Sequence, residues 1–192
     1  GNLYSDIGIR QVNDMDFMVK KEDSELINST MVNIGYCQDD FDEATQAFKA
    51  PSRKQSLLWK MNMNNLYPYK KISDSEYAKI IEFDFSFSLD LELKTNIVNS
   101  MIDRARLDKK DGLKKLIPSD FFLHLCSHLY KEAINVMWVT LGKDINLIKF
   151  CDVREFILKF MNADILKEVV ITAKKEGLEE AVYYTIFYKM SA

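Results

Sequence analysis

The sequence predicts an α+β protein, a small mixed sheet with flanking helices followed by an all-helical subdomain. Residues 80–88 alternate apolar with polar side chains at the period of two that marks a half-buried strand, and residues 14–17 do so at the head of an apolar run to Val19. From residue 91 onward the apolar residues recur at steps of three and four, the period of an amphipathic helix, with no break longer than a few residues. The 192 residues are 47% hydrophobic and 12% aromatic, enough for a sizeable core, and three prolines with six glycines leave little room for low-complexity linkers. A boundary near residue 92 follows, with an α+β subdomain over 1–92 and a helical bundle over 93–192, expected to face each other across a cleft.

Asp14-Met15-Asp16-Phe17-Met18-Val19 reads as a strand in which Met15, Phe17 and Val19 enter a core while Asp14 and Asp16 share the opposite face. Residues 22–34 read as a helix returning the chain across the sheet, with Asp23 or Ser24 as cap and Ile27, Met31 and Ile34 at helical spacing. Residues 36–55 are weakly periodic; Asp39, Asp40, Asp42 and Glu43 read as a solvated face, and Pro51-Ser52 punctuates the segment. Residues 54–63 fit a strand or a short helix, with the strand preferred, and 62–71, with Asn64-Asn65 and Pro68, read as a turn. The cleanest strand is residues 80–88, where Ile81, Phe83, Phe85 and Phe87 alternate against Glu82, Asp84, Ser86 and Ser88. Helices are then expected over 93–107, 119–139, 144–160, 163–176 and 178–190, with Pro118-Ser119-Asp120 as a start, Gly142 as a break and Gly177 as a stop.

Lys and Arg number 26 against 29 Asp and Glu, and the net charge of −3 gives no global electrostatic case for a polyanion, so DNA is not expected as a partner. Cys37, Cys126 and Cys151 are odd in number and widely spaced, which fits packed, reduced thiols in a cytoplasmic protein rather than a disulfide framework. The first residues carry no apolar signal core, and no apolar run approaches the ~20 residues needed to span a bilayer. A protein that does not engage a membrane is therefore expected.

The chemistry is assigned to Asp14 and Asp16. Their Cα atoms in a strand lie roughly 6–7 Å apart. Carboxylates on that spacing can converge on one hard cation, or on two cations about 3.5–4 Å apart as in phosphoryl-transfer sites. Spacing alone fits equally two ordinary acids at a strand end facing water. The residues around the pair add to the motif: Gly8-x-Arg10, then Asn13-Asp14-Met15-Asp16-Phe17-Met18-Val19, resembles the signature of the uncharacterised nucleotidyltransferase family within the DNA polymerase beta-like superfamily. On a neighbouring strand the resemblance implies a third carboxylate in an Asp-hydrophobic-His-Trp segment. Here the segment is Asp84-Phe85-Ser86-Phe87, in which Asp84 matches, Ser86 and Phe87 depart, and Glu82 on the same face is the rival candidate. Two helical segments, Leu123-His124-Leu125-Cys126-Ser127-His128 and Leu147-Ile148-Lys149-Phe150-Cys151-Asp152-Val153, resemble the family's later segments in the same order. His124 and His128 are read as packing and hydrogen-bonding residues where the helical half meets the strands, not as zinc ligands, since no His-Glu-x-x-His glutamate accompanies them. Phe121, Phe122, Tyr130 and Trp138 are read as core.

The resemblance implies transfer of a nucleoside monophosphate from a nucleoside triphosphate to an acceptor hydroxyl, with release of pyrophosphate. It assigns Asp14, Asp16 and Asp84 to Mg²⁺, with Asp84 completing a second metal position or taking the acceptor proton, and Arg10 to phosphate oxygens. A small-molecule acceptor is expected ahead of a protein or RNA. Relatives place a strand, a Gly-containing turn and a helix upstream of the Asp-x-Asp strand, and only Gly1 to Arg10 precede it here. The α+β subdomain is therefore expected to lack that segment and to bind triphosphate weakly. Two other readings accompany this one: a catalytically silent interaction module on the same fold, and a nucleotidyltransferase toxin of the abortive-infection type, whose Arg and Asp-x-Asp strand look similar.

Overall fold

The computed structural model describes residues 3–6, 10, 14–62, 64–76, 78–90, 96–140, 142 and 147–191. The chain forms two compact units, one of Gln11–Glu92 and one of Gly1–Arg10 with Leu93–Ala192. The first contains β1 (Asp14–Met18), α1 (Ser24–Asn33), β2 (Asp40–Asp42), β3 (Ala47–Lys49), α2 (Arg53–Asn62), β4 (Tyr69–Ile72) and β5 (Ile80–Ser86). Its main sheet has the order β1-β5-β4, with β5 parallel to β1 and antiparallel to β4. The strand with the most sustained alternation in sequence is thus the central one. Its apolar side packs with Met31, Tyr69 and Phe85 at the centre and Phe17, Val19, Ile27, Tyr36, Leu66 and Phe83 around them. Phe17 stacks on Phe83 and Phe85 at 5.6 and 5.7 Å between ring centroids. Each such buried ring contributes about 1.5–3 kcal/mol. Met15, expected in the same row, is 39% exposed, as the outer residue of an edge strand.

Over residues 54–63 the preferred strand gives way to the short helix: their described part is helical, as α2. The cause is a capping box: the Ser52 N–H donates to Gln55 Oε1 at 2.9 Å and the Gln55 N–H to Ser52 Oγ at 3.2 Å. Trp59 then lies 4.8 Å from the Tyr67 ring, and its indole N–H donates to the Asn65 carbonyl at 3.1 Å. The segment read as a turn over 62–71 ends in a strand, β4, because its last residues pair with Ile80 to Phe83 of β5. The acidic stretch near residue 40 forms a small hairpin of β2 and β3, turned by the Asp42 carboxylate accepting from the Ala44 and Thr45 N–H groups.

The second unit contains α3 (Ile97–Arg104), β6 (Arg106–Leu107), β7 (Lys114–Lys115), α4 (Pro118–Ile134), α5 (Val136–Thr140), α6 (Leu147–Phe160), α7 (Ala163–Glu176) and α8 (Glu179–Ser191). α4 is its centre and packs on α6, α7 and α8. Phe122, Leu123, Cys126 and Leu129 of α4 are buried, as are Val153, Val169 and Ala173 on the neighbouring helices. Pro118 starts α4 at its first turn, and Asp120, 2% exposed, accepts from Arg104 Nε and Nη2 at 3.1 and 2.7 Å. The helix expected over 119–139 is interrupted at Asn135, whose extended backbone separates α4 from α5. Of residues 93–107, those from 97 to 104 are helical, and Arg106–Leu107 pairs with Lys114–Lys115 in a hairpin. Gly177 adopts φ +70° and stops α7, and the Leu178 N–H donates back to the Ala173 carbonyl at 2.8 Å. Phe122 is core, whereas Phe121 is 36% exposed; the Trp138 side chain lies outside the described residues. Cys37, Cys126 and Cys151 are free thiols. Among the described residues no helix is long and apolar enough to cross a membrane.

Candidate active site

The parallel register of β1 and β5 sets Asp14 beside Glu82 and Asp16 beside Asp84. Strand partners project to the same face, so the four acidic residues share it, with Cα spacings of about 4.8 Å across the strands and roughly 6–7 Å along them. Asp14 and Asp16 are exposed, and Glu82 and Asp84 are half-buried. β4 adds one cation to this face: Lys70 pairs with Glu82 in register, and its Nζ stands 3.9 Å from Glu82 Oε2 and 3.7 Å from Asp40 Oδ1. Asp40 also accepts from the Tyr67 hydroxyl at 3.0 Å.

The acids outnumber the cation, and their protonation follows. Burial, then the charges of Glu82, Asp16 and Asp14, push the Asp84 carboxyl up to about 7, with Lys70 opposing. Burial also raises Glu82, against the pull of Lys70. Asp84 Oδ1 is buried and has no hydrogen-bond partner. A buried, unpartnered carboxylate oxygen carries an uncompensated desolvation cost. A proton or a cation would relieve it.

Arg10 belongs to the other unit. Its Nε donates to Asp152 Oδ2 and Oδ1 at 3.0 and 3.2 Å, and Asp152 also accepts from the Tyr4 hydroxyl at 2.6 Å. Burial and then the bond to Asp152 raise the Tyr4 hydroxyl above its ordinary range, so it stays a donor. The Arg of the first quoted motif and the Asp of the last are therefore one ion pair. Gly8 and Asn13 lie outside the described residues.

Compared with known protein families, residues 1–190 match the uncharacterised nucleotidyltransferases. The chain belongs to that family. Membership supports nucleotidyl transfer as the general activity and a nucleoside triphosphate as substrate. Nucleotidyltransferases typically use a divalent metal. No curated protein and no solved structure matches the chain.

For a nucleotidyltransferase the block on β1 and β5 has suitable chemistry, since carboxylate oxygens are the donors hard divalent cations take. The orphaned oxygen of Asp84 is an acceptor in search of a positive charge. As the side chains stand, no three His, Cys, Asp or Glu among the described residues are gathered as joint metal ligands. Ser86, where relatives are expected to carry His, is buried two residues beyond Asp84 and so on its face, and Lys21 Nζ lies over the Phe87 ring at 5.2 Å. Lys70 and Tyr67 are the residues sequence reading missed. The stretch before β5 lacks alternation, and only the β-prone Tyr69 and Ile72 flanking two lysines hinted at a strand.

In the helical unit, His124 and His128 have ring centroids 5.9 Å apart. Lys149 Nζ lies 3.2 Å from His128 Nδ1 and 2.6 Å from Glu132 Oε1. An ammonium group only donates, so His128 Nδ1 accepts and its proton sits on Nε2. Burial first, then Lys131 and Lys149, lower His124 to about 4, and burial with Lys149 and His124 lowers His128 as well. Both rings are neutral at pH 7.

Proposed function

We propose that the carboxylate face of β1 and β5 is the site of a magnesium-dependent nucleotidyl transfer. The observation that carries this reading is the register, Asp14 with Glu82 and Asp16 with Asp84, together with the buried, unpartnered oxygen of Asp84. Asp14 and Asp16, exposed on the edge strand, are the residues to hold Mg²⁺ beside an incoming triphosphate, and Asp84 closes the set from the neighbouring strand. When bound, Mg²⁺ neutralises charge on the phosphates and on the leaving pyrophosphate. The acceptor oxygen bonds to the α-phosphorus, the α–β phosphoanhydride bond breaks, pyrophosphate leaves, and the acceptor proton passes to Asp84 where that carboxylate is not itself a ligand of the ion. Lys70 holds Glu82 and Asp40 by charge, which keeps Glu82 out of competition for the ion. Arg10, the candidate for phosphate oxygens, donates from Nε to Asp152.

The acceptor is a small molecule in this reading, since composition offers no net positive charge for RNA. The test is calorimetric titration of ATP and UTP, with and without Mg²⁺, into the chain and into Asp16→Asn, with pyrophosphate release followed in parallel. Binding that needs Mg²⁺ and weakens at least about tenfold in the variant supports the proposal, tenfold being 1.4 kcal/mol. Equal binding with and without Mg²⁺, or by both chains, would overturn it and favour the silent interaction module.

A further inference from the structure

We propose that the helical unit carries a second ligand site, a pocket on α4 and α8 that takes a quaternary ammonium group. Tyr130 of α4 and Glu179, Glu180, Tyr183, Tyr184 and Phe187 of α8 line a volume of about 600 Å³. That size lies within the range of roughly 300–1,000 Å³ usual for small-molecule pockets. Glu179, Tyr183 and Phe187 follow one another at steps of four, as do Glu180 and Tyr184, so they form one stripe along the helix. Ala181, Val182 and Thr185 are buried on its inner side. α8 therefore turns aromatic rings outward while it packs inward. A surface helix ordinarily turns polar residues to water. Here Tyr183 and Phe187 stack at 5.6 Å while 68% and 50% exposed.

The chemistry of the lining selects the ligand. Aromatic faces are electron-rich, two carboxylates of the same sign stand with them, and no lysine or arginine is among the described lining residues. Anions are repelled, and a neutral apolar ligand gains nothing from Glu179 or Glu180. A primary ammonium has three N–H donors to satisfy. The rings accept none of them well, so a primary ammonium would lean on the two carboxylates for all three, and one of these, Glu180, also accepts from the Tyr130 hydroxyl at 2.5 Å. A quaternary ammonium has no donors and is weakly hydrated, so ring faces and nearby carboxylates suffice to hold it. Acids in the first turn of α8 also suit its N-terminus, which explains the glutamates but not the aromatic stripe beside them.

The site lies wholly within the helical unit and is independent of the carboxylate face on β1 and β5. The experiment is calorimetric titration of the full chain with choline and with its uncharged isostere 3,3-dimethyl-1-butanol, repeated on Tyr183→Ala, Tyr183→Phe and Glu179→Gln. These residues are on the outer face of α8, so the variants should fold; circular dichroism checks this. Choline should saturate one site, the isostere should bind about tenfold more weakly, Tyr183→Ala and Glu179→Gln should weaken choline severalfold, and Tyr183→Phe should retain it. Absence of saturable choline binding at millimolar concentration, equal binding of the isostere, or unchanged affinity in Tyr183→Ala would overturn the proposal. Self-association that Tyr183→Ala abolishes, without choline binding, would give the face to a second copy of the chain and overturn it equally.

Discussion

Asp84 concentrates the tension in the sheet unit, because it is half-buried, has an oxygen without a partner and faces three other acids. The folded chain holds its proton near pH 7, while an unfolded Asp releases it near 3.9. Its contribution is therefore harmless below about pH 4 and becomes a destabilisation as pH rises towards 7, on the order of 2–4 kcal/mol above that. Asp84→Asn should raise the melting midpoint of the metal-free chain at pH 8 by several degrees and leave it little changed at pH 4. Thermal unfolding in EDTA at the two pH values checks this; no gain at pH 8 would remove Asp84 from its assigned environment. Arg104 gives the opposite case. It supplies two hydrogen bonds to the buried Asp120, and Arg104→Met leaves that carboxylate unsatisfied at a cost of about 2–3 kcal/mol, read by urea unfolding. Alternation put Asp14 with Asp16, and Glu82 with Asp84, on one face of each strand, and the family resemblance set Asp84 beside the pair. Neither could show that Asp84 is the half-buried one, since that depends on which strand is central.

At the scale of elements, the sequence announced those whose apolar period was long enough to outlast noise. Ile80 to Ser86 and Ala163 to Glu176 have this property, and the latter also carries its own stops, Asn162 accepting from the Ile165 N–H and Gly177 in the left-handed region. Strand and helix compete over α2 because its apolar residues cluster over a single turn, and the Ser52-x-x-Gln55 capping box decides for the helix. β4 was missed because four residues with two lysines have no period to read, and only pairing to β5 makes them a strand. Ser52→Ala should therefore cost about 1 kcal/mol by unfastening the start of α2. Hydrogen exchange over residues 53–62 should quicken by about fivefold, with β5 unaffected, and uniform protection in the variant would show that Trp59 packing alone holds the helix.

At the scale of the molecule, the two units carry titrations of opposite sign. The sheet unit is destabilised as pH rises through the Asp84 range. In the helical unit, His124 is held neutral with its pKa near 4 against about 6.5 unfolded, so its stabilisation is full above pH 6.5 and is lost as pH falls towards 4. Hydrogen exchange should therefore show α4 losing protection between pH 6.5 and 4 while β5 gains it, and a common response of both would contradict the assignment of these shifts to separate units.

The central claim is that the face of β1 and β5 holds a divalent cation, and it is tested most directly by counting bound Mn²⁺, a stand-in for Mg²⁺, by electron paramagnetic resonance. The full chain, Asp16→Asn, Asp84→Asn and a control variant of the helical unit, Asp108→Asn in the turn between β6 and β7, are compared at pH 8. One or two ions per chain, lost in the first two variants and kept in the third, are predicted. Equal binding by all four chains, or none by any, would contradict it.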